Sequence, residues 1–181
     1  MITTAINTII KSLASDDIVS IPTDTVYGLS CKINQIAVNK LINLKQRDSS
    51  KGFIIISHKT EHLLRYVETS LLSDAQITKL QTPQSQPTTW IAPAVEDIQW
   101  LTGGKPTVAI RLAQTTEIQE ICSSLDSAII STSANISGEV FINNALAISK
   151  VFNDIMVFDN KFKTKATPST ILNISTGEKI R

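Results

Sequence analysis

The chain has 181 residues, 42% of them hydrophobic and 18% charged, enough for one sizeable core and too few for two independent cores, so residues 1–181 are expected to fold as a single domain. A formal charge of +1 excludes a global attraction to nucleic acid or to an anionic membrane and leaves only local basic pockets to argue for such partners. Two cysteines, Cys31 and Cys122, make neither a disulfide framework nor a paired metal motif, and read as buried free thiols in a reducing cytoplasm.

In chain order, Ile2, Ala5, Ile6, Ile9, Ile10 and Leu13 recur at helical spacing and predict an amphipathic first helix. This N-terminus has neither a charged n-region nor an uninterrupted apolar core, and no later stretch reaches the length of a membrane span, so a soluble, unprocessed protein is expected. Ser15-Asp16-Asp17 turns the chain into a strand, Ile18–Ile21, that runs into "PTDTVYGLSC". Pro22 ends that strand, and Gly28 is expected to allow a close turn toward the next helix. Asp24 and Thr25 are explained equally well as turn or cap residues.

A helix is predicted from about Gln35 to Gln46 with Asn34 as its N-cap, followed by the β-branched strand "GFIIIS", Gly52 to Ser57, buried on both faces. Helical patterns follow at about 61–67 and 71–80, then an irregular loop, "QTPQSQPTT". The second half alternates strand "TVAIRLA", helix Glu117–Leu125, strand "AIIST", helix Asn144–Phe152 and strand "IMVFD". It closes with "STILNIS" and "EKIR" paired across the Thr176-Gly177 turn. Alternating strands and helices, with adjacent strands at the end, predict an α/β fold on a mixed sheet.

The chain lacks a phosphate-binding loop ending in Gly-Lys-Ser/Thr, a dinucleotide-binding glycine fingerprint and paired CxxC motifs. "HKTEH", His58 to His62, has the spacing of an inverted zinc-protease motif. Zinc chemistry there needs both histidines on one helical face, whereas His58 directly follows a strand, so the segment reads as a surface turn. The same two histidines are poorly placed to serve a Ser-His-Asp triad.

The cluster "LKQRDSSKG" places Lys45, Arg47 and Lys51 at a helix C-terminus and the loop after it. The helix dipole alone accounts for cations there, and the same three side chains could instead converge on a polyphosphate. "STSANISG" puts Ser131, Ser133 and Asn135 directly after an apolar strand, where open α/β sheets bind ligands. Each cluster alone is ordinary turn chemistry. Together, two hydroxyl-rich strand ends and a basic cluster make a pocket suited to an anionic nucleotide and a small polar substrate.

"SIPTDTVYGLSC", "LKQRDSSKGFIII", "PTVAIRL", "AIISTSANISG" and "PSTILNISTGEKIR" stand in the order and spacing of the YrdC-like family, the threonylcarbamoyl-AMP synthases, which the chain resembles over nearly its whole length. The resemblance implies a single-domain twisted open mixed sheet with flanking helices and a concave basic cavity. It also implies an activity: L-threonine, bicarbonate and ATP, the last with Mg²⁺ and without a protein-bound metal, give L-threonylcarbamoyladenylate and pyrophosphate. A tRNA threonylcarbamoyl-transfer complex then acts downstream, with weak tRNA or RNA contact compatible with the same surface.

Carried over by position, Lys45 and Arg47 are implied as catalytic and ATP-binding residues. Thr23, Lys51, Thr107, Arg111 and Ser169 are implied as contacts for threonine or bicarbonate, and Ser131, Ser133, Asn135 and Arg181 as contacts for ATP. Where the family often has Pro-Gly-Pro-x-Thr, this chain has "SQPTT", and it ends at Arg181, where many relatives continue for a few residues. An RNA-binding module without catalysis is the alternative, disfavoured because only 5% of residues are aromatic and no RNA-recognition signature occurs.

Overall fold

Ile55 and Ile56 are adjacent and both fully buried, yet they enter different cores. Successive side chains of a strand point to opposite faces, so a strand buried on both faces needs two hydrophobic layers. That arrangement organises the computed structural model, which describes residues 1–159 and 167–181.

Among those residues the elements run β1 (Ile2–Thr3), α1 (Ile6–Ala14), β2 (Val19–Pro22), β3 (Tyr27–Lys32), α2 (Gln35–Lys45), β4 (Ile54–Ser57), α3 (Thr60–Leu64) and α4 (Asp74–Gln81). They continue as β5 (Thr88–Pro93), α5 (Gln99–Thr102), β6 (Thr107–Leu112), α6 (Thr116–Leu125), β7 (Ile129–Ser133), α7 (Ala145–Val151), β8 (Met156–Phe158) and β9 (Thr170–Asn173). The described strands form one nine-stranded sheet in the order β1-β8-β2-β3-β7-β4-β6-β5-β9. It is mixed: β2 is parallel to β8 and antiparallel to β3, while β4 is parallel to β6 and antiparallel to β7.

The larger core packs Leu41 of α2, Leu63 of α3, Leu101 of α5 and Ile148 of α7 against Leu29, Ile55, Ile110 and Ile130. On the opposite face Ile9 and Leu13 of α1 and Ile118 and Ile121 of α6 cover Val19, Ile21, Ile56 and Ile129. Each such side chain contributes about 1.5–3 kcal/mol by leaving water. No helix among the described residues is long and apolar enough to cross a membrane.

Several sequence expectations hold in detail. Asn34 caps α2 through a 2.9 Å bond from the Ala37 N–H, and both cysteines are free and buried. Others need correction. The first helix begins at Ile6, because Ile2–Thr3 instead extends the sheet beside β8. Helix α3 stops at Leu64, and Val67 then bridges to Ala94. The predicted turn at Gly28 is strand β3, in which Gly28 lies opposite Ser133 of β7 and Ile21 of β2. Thr88 and Thr89, expected in an irregular loop, begin strand β5. "EKIR" pairs back only through a single bridge, Lys179 to Leu172.

Candidate active site

Helices α1 and α6 cover only part of their sheet face, and the uncovered part forms a cavity of about 610 Å³. It lies at the end of the sheet where β2 and β7 finish and β4 and β6 begin. Strand alternation supplies its floor. Ile54 is two residues from core residue Ile56, Ser131 and Ser133 continue the face of Ile129, and Thr107, Ala109 and Arg111 share one face of β6. Gly28 belongs to this floor because a Cβ there would come within 2.5 Å of Ser131 Oγ. Among the described residues, the cationic side chains lining it are Arg47, Lys105, Arg111 and Arg181, against the one carboxylate side chain of Glu139, so this part of the wall carries a net positive charge.

One corner is built from the β2–β3 turn and β6. Arg111 is buried, with Nη1 donating to Thr25 Oγ1 at 3.1 Å and Nη2 lying 3.3 Å from Asp24 Oδ1. The two charges are paired by distance without hydrogen-bond alignment, and both Asp24 Oδ1 and Arg111 Nε are buried atoms lacking a hydrogen bond. Burial lowers the Arg111 pKa, which Asp24 opposes and Arg181 reinforces. Thr23 Oγ1 donates to the Val26 carbonyl at 2.8 Å, contacts Thr25 Oγ1 at 2.9 Å and accepts from the Thr25 N–H at 3.2 Å.

The opposite corner is built from the end of α2 and the turn after β7. Lys45 Nζ donates to the carbonyls of Ser133 and Asn135 at 2.6 and 2.8 Å and to Asn135 Oδ1 at 3.0 Å. Those three bonds use all three ammonium protons. Burial, with a smaller push from Arg47, lowers its pKa to about 7. Asn135 is equally committed: Oδ1 also accepts from Ser133 Oγ at 2.7 Å, and Nδ2 donates to the Glu139 carbonyl at 2.6 Å.

Arg47 projects from the same helix end toward the cavity. It is held by the carbonyls of Lys51 and Gly52 at 3.3 and 2.9 Å and lies over the Phe53 ring at 5.0 Å. Its loop packs so closely on the end of α5 that a Cβ at Gly52 would meet the Thr102 carbonyl oxygen at 2.8 Å. A third wall comes from the entry to β9, where the buried Ser169 just before the strand shares a 2.8 Å bond with Thr89, and Arg181 Nη2 donates to the Ser169 carbonyl at 3.3 Å.

Of the residues singled out in sequence, Thr23, Arg47, Thr107, Arg111, Ser131, Ser133, Asn135, Ser169 and Arg181 line this cavity. Lys45 lies beneath the 133–135 turn and Lys51 is exposed on the loop that Arg47 pins, so neither forms part of the wall. Sequence reasoning left out Lys105 and Glu139 and gave Thr25 only a turn role. Strand β3 was the missed signal: "YGLSCK" alternates apolar Tyr27, Leu29 and Cys31 with small or polar Gly28, Ser30 and Lys32.

The histidine segment is not the surface turn expected of it. His62 is buried between Ser57 Oγ, 3.1 Å from Nδ1, and Asp126 Oδ1, 3.4 Å from Nε2. Among the described residues no group of three or more His, Cys, Asp or Glu side chains is placed to hold a metal ion.

The family described as telomere recombination, Sua5/YciO/YrdC, matches residues 11–181. The chain is 34% identical over 182 residues to the threonylcarbamoyl-AMP synthase of Psychromonas ingrahamii, covering 97% of this chain and 95% of that one. It is 36% identical over 168 residues to the threonylcarbamoyl-AMP synthase of Wigglesworthia glossinidia brevipalpis, covering 91% and 87%. Among solved structures, P. abyssi Sua5 complexed with L-threonine is similar in fold, with a TM-score of 0.85 at 23% identity over 96% of this chain. This chain spans 52% of that one, about half its length. E. coli YciO has a TM-score of 0.74 at 18% identity, covering 93% of this chain and 82% of its own.

Proposed function

The chain belongs to the Sua5/YciO/YrdC family, and from that premise and the chemistry of its cavity we propose that it is a threonylcarbamoyl-AMP synthase. The observation that carries the reading is the convergence of Arg47, Lys105, Arg111 and Arg181 with the hydroxyls of two strand ends on one cavity of about 610 Å³. Such a wall suits anionic substrates, and relatives about a third identical over nearly the full chain are named threonylcarbamoyl-AMP synthases.

In the reaction, the amine of L-threonine adds to the carbon of bicarbonate with loss of water and gives a carbamate. A carbamate oxygen then attacks the α-phosphorus of ATP, the bond to the β-phosphate oxygen breaks and pyrophosphate leaves. Mg²⁺ enters as the counter-ion of ATP. The obstacle is repulsion between the carbamate and the triphosphate, and fixed guanidinium groups in a partly dry cavity offset it.

Arg47 takes the phosphates, its fork held ready by the Lys51 and Gly52 carbonyls. Lys45 acts one step behind, fixing the Ser133–Asn135 turn whose hydroxyl and amide groups border the nucleotide. Arg111 and Ser169 serve the carboxylate end of threonine, and Thr107 and Arg181 close the wall between the two substrates. Holding both anions in line supplies the rest of the acceleration. The product is passed to a tRNA threonylcarbamoyl-transfer complex in the cytoplasm.

The test is mass spectrometry of the product formed from ATP, L-threonine and bicarbonate, beside a pyrophosphate-release assay. A species of the mass of threonylcarbamoyladenylate, with release dependent on both threonine and bicarbonate, is expected. Release indifferent to threonine overturns the reading, as does strongly salt-dependent RNA binding without nucleotide turnover.

A further inference from the structure

Burial along β6 runs from depth to mouth. Arg111 is buried, Thr107 is partly exposed, and Lys105, two residues before the strand, is exposed where it lines the cavity. At about 3.3 Å per residue, the strand separates the Arg111 and Thr107 positions by about 13 Å. The Arg47 loop reaches β6 at the mouth. Strand β4 is parallel to β6 with Ile54 opposite Ala109, and the same register carried two residues back sets Gly52, whose carbonyl holds Arg47, level with Thr107.

The turn that carries Lys105 is packed onto that loop, since a Cβ at Gly103 would collide with the Ser50 carbonyl. Its backbone is fixed on both sides: Thr102 Oγ1 donates to the Lys105 carbonyl at 2.7 Å, and the Pro106 carbonyl accepts from the Ala94 N–H at 2.9 Å. The side chain is uncommitted. Among the described residues its ammonium group has no hydrogen-bond or ion-pair partner, although Glu68 and Glu96 line a second cavity that Lys105 also borders. The other cations of the site are engaged: Lys45 by three oxygens, Arg47 by two carbonyls, Arg111 by Thr25 and Asp24, and Arg181 by the Ser169 carbonyl.

The chemistry decides where an unspent cation is useful. As the carbamate oxygen bonds to the α-phosphorus, the bond from that phosphorus to the β-phosphate oxygen breaks, with the two oxygens roughly in line. With the amino acid held at Arg111, the nucleophile comes from the depth of the cavity. Pyrophosphate therefore departs toward the mouth, taking the electron pair of the broken bond with it. We infer that Lys105 is a further catalytic residue, which binds the β- and γ-phosphates of ATP beside Arg47 and stabilises the charge that grows on the departing pyrophosphate. The inference rests on the threonylcarbamoyl-AMP synthase reading.

The experiment is calorimetric titration of inorganic pyrophosphate and of AMP, each with Mg²⁺, into wild type, Lys105→Met and Lys105→Arg, beside steady-state formation of the adenylate and thermal unfolding of each variant. Lys105→Met is expected to unfold at the wild-type temperature, to weaken pyrophosphate about fivefold and to lower kcat/KM for ATP at least as much, the upper range for an exposed ion pair. AMP affinity and KM for L-threonine stay at wild-type values, because neither ligand carries a β-phosphate, and Lys105→Arg retains most of the pyrophosphate affinity. The difference between wild type and Lys105→Met shrinks as salt is added. Unchanged pyrophosphate affinity in Lys105→Met overturns the inference and leaves the synthase reading intact. So does equal weakening of pyrophosphate and AMP, which would mean that Lys105 acts only through the overall charge of the cavity. Absence of threonine-dependent turnover in wild type overturns the reading itself and this inference with it.

Discussion

Lys45 and Arg111 are both buried cations at the cavity, exposed by only 1% and 4%, and they differ in what their surroundings leave over. Three oxygens of one turn accept the three protons of Lys45. Arg111 has a carboxylate at 3.3 Å that it does not align with, and an Nε–H with nothing to bond. Desolvating a charge is costly in both places. Where every donor is met, part of the cost is offset locally and the residue acts as scaffold; where a donor is left over, the cost stands in full. Burial and charge alone do not separate the two roles, but the count of unused donors does.

Removing the cation with unused capacity gives the largest expected effect. Arg111→Met leaves Asp24 beside an apolar side chain and takes the donor from Thr25. It is expected to destabilise the fold by about 3 kcal/mol and to cut threonine-dependent pyrophosphate release about a hundredfold. Arg111→Met combined with Asp24→Asn separates the two losses: chemical denaturation should recover most of the stability while turnover stays low. Recovery of turnover in the double variant would break the comparison, by making Arg111 a structural partner of Asp24 and no more.

At the satisfied corner the effect is smaller and of a different kind. Lys45→Met strands the oxygens of Ser133 and Asn135 and should cost about 1–3 kcal/mol, with KM for ATP rising about tenfold while KM for threonine holds. Its pH dependence is distinctive. The folded-state pKa of Lys45 lies near 7, below the ordinary 10.5, so between these values the unfolded chain binds more protons than the folded one. Lys45 therefore opposes folding most at neutral pH and less as pH rises. The stability difference between wild type and Lys45→Met, measured by denaturation, should climb from about pH 7 to 10.5 and stay flat below that window. A difference that stays flat over this range would mean the turn oxygens hold the ammonium charged throughout.

Sequence patterns revealed these two corners unequally. Strands β2, β4, β6 and β7 and helix α2 were legible because β-branched runs and the Asn34 cap are local signals. Strand β3 was not read, although its alternation is regular, because Gly28 and Ser30 on one face look like turn residues until β7 packs against them. The start of β5 was hidden by the Pro/Gln/Ser/Thr stretch that precedes it. Most cavity-lining residues were legible as clusters of hydroxyls and cations. Their division of labour was not, since it depends on bonds spanning 88 residues for Lys45 to Ser133 and 86 for Arg111 to Thr25.

Gly28 joins the corners, because β3 runs from the threonine turn to the strand that carries Ser131 and Ser133. A Cβ at this position would stand 2.5 Å from Ser131 Oγ and 3.3 Å from the Thr132 carbonyl oxygen. The serine oxygen can rotate away, whereas the carbonyl is fixed in the sheet. Gly28→Ala should therefore cost only about 1 kcal/mol and raise KM for ATP about threefold, the smallest change of the series. If the corners are independent, its KM for L-threonine remains that of wild type, because the bond from Arg111 to Thr25 is untouched. Gly28→Ala with Ser131→Ala removes the obstructing oxygen, so stability should return while KM for ATP stays raised. If KM returns as well, the Ser131 hydroxyl makes no contact with the nucleotide, and Arg47 with the Ser133–Asn135 turn must hold it unaided.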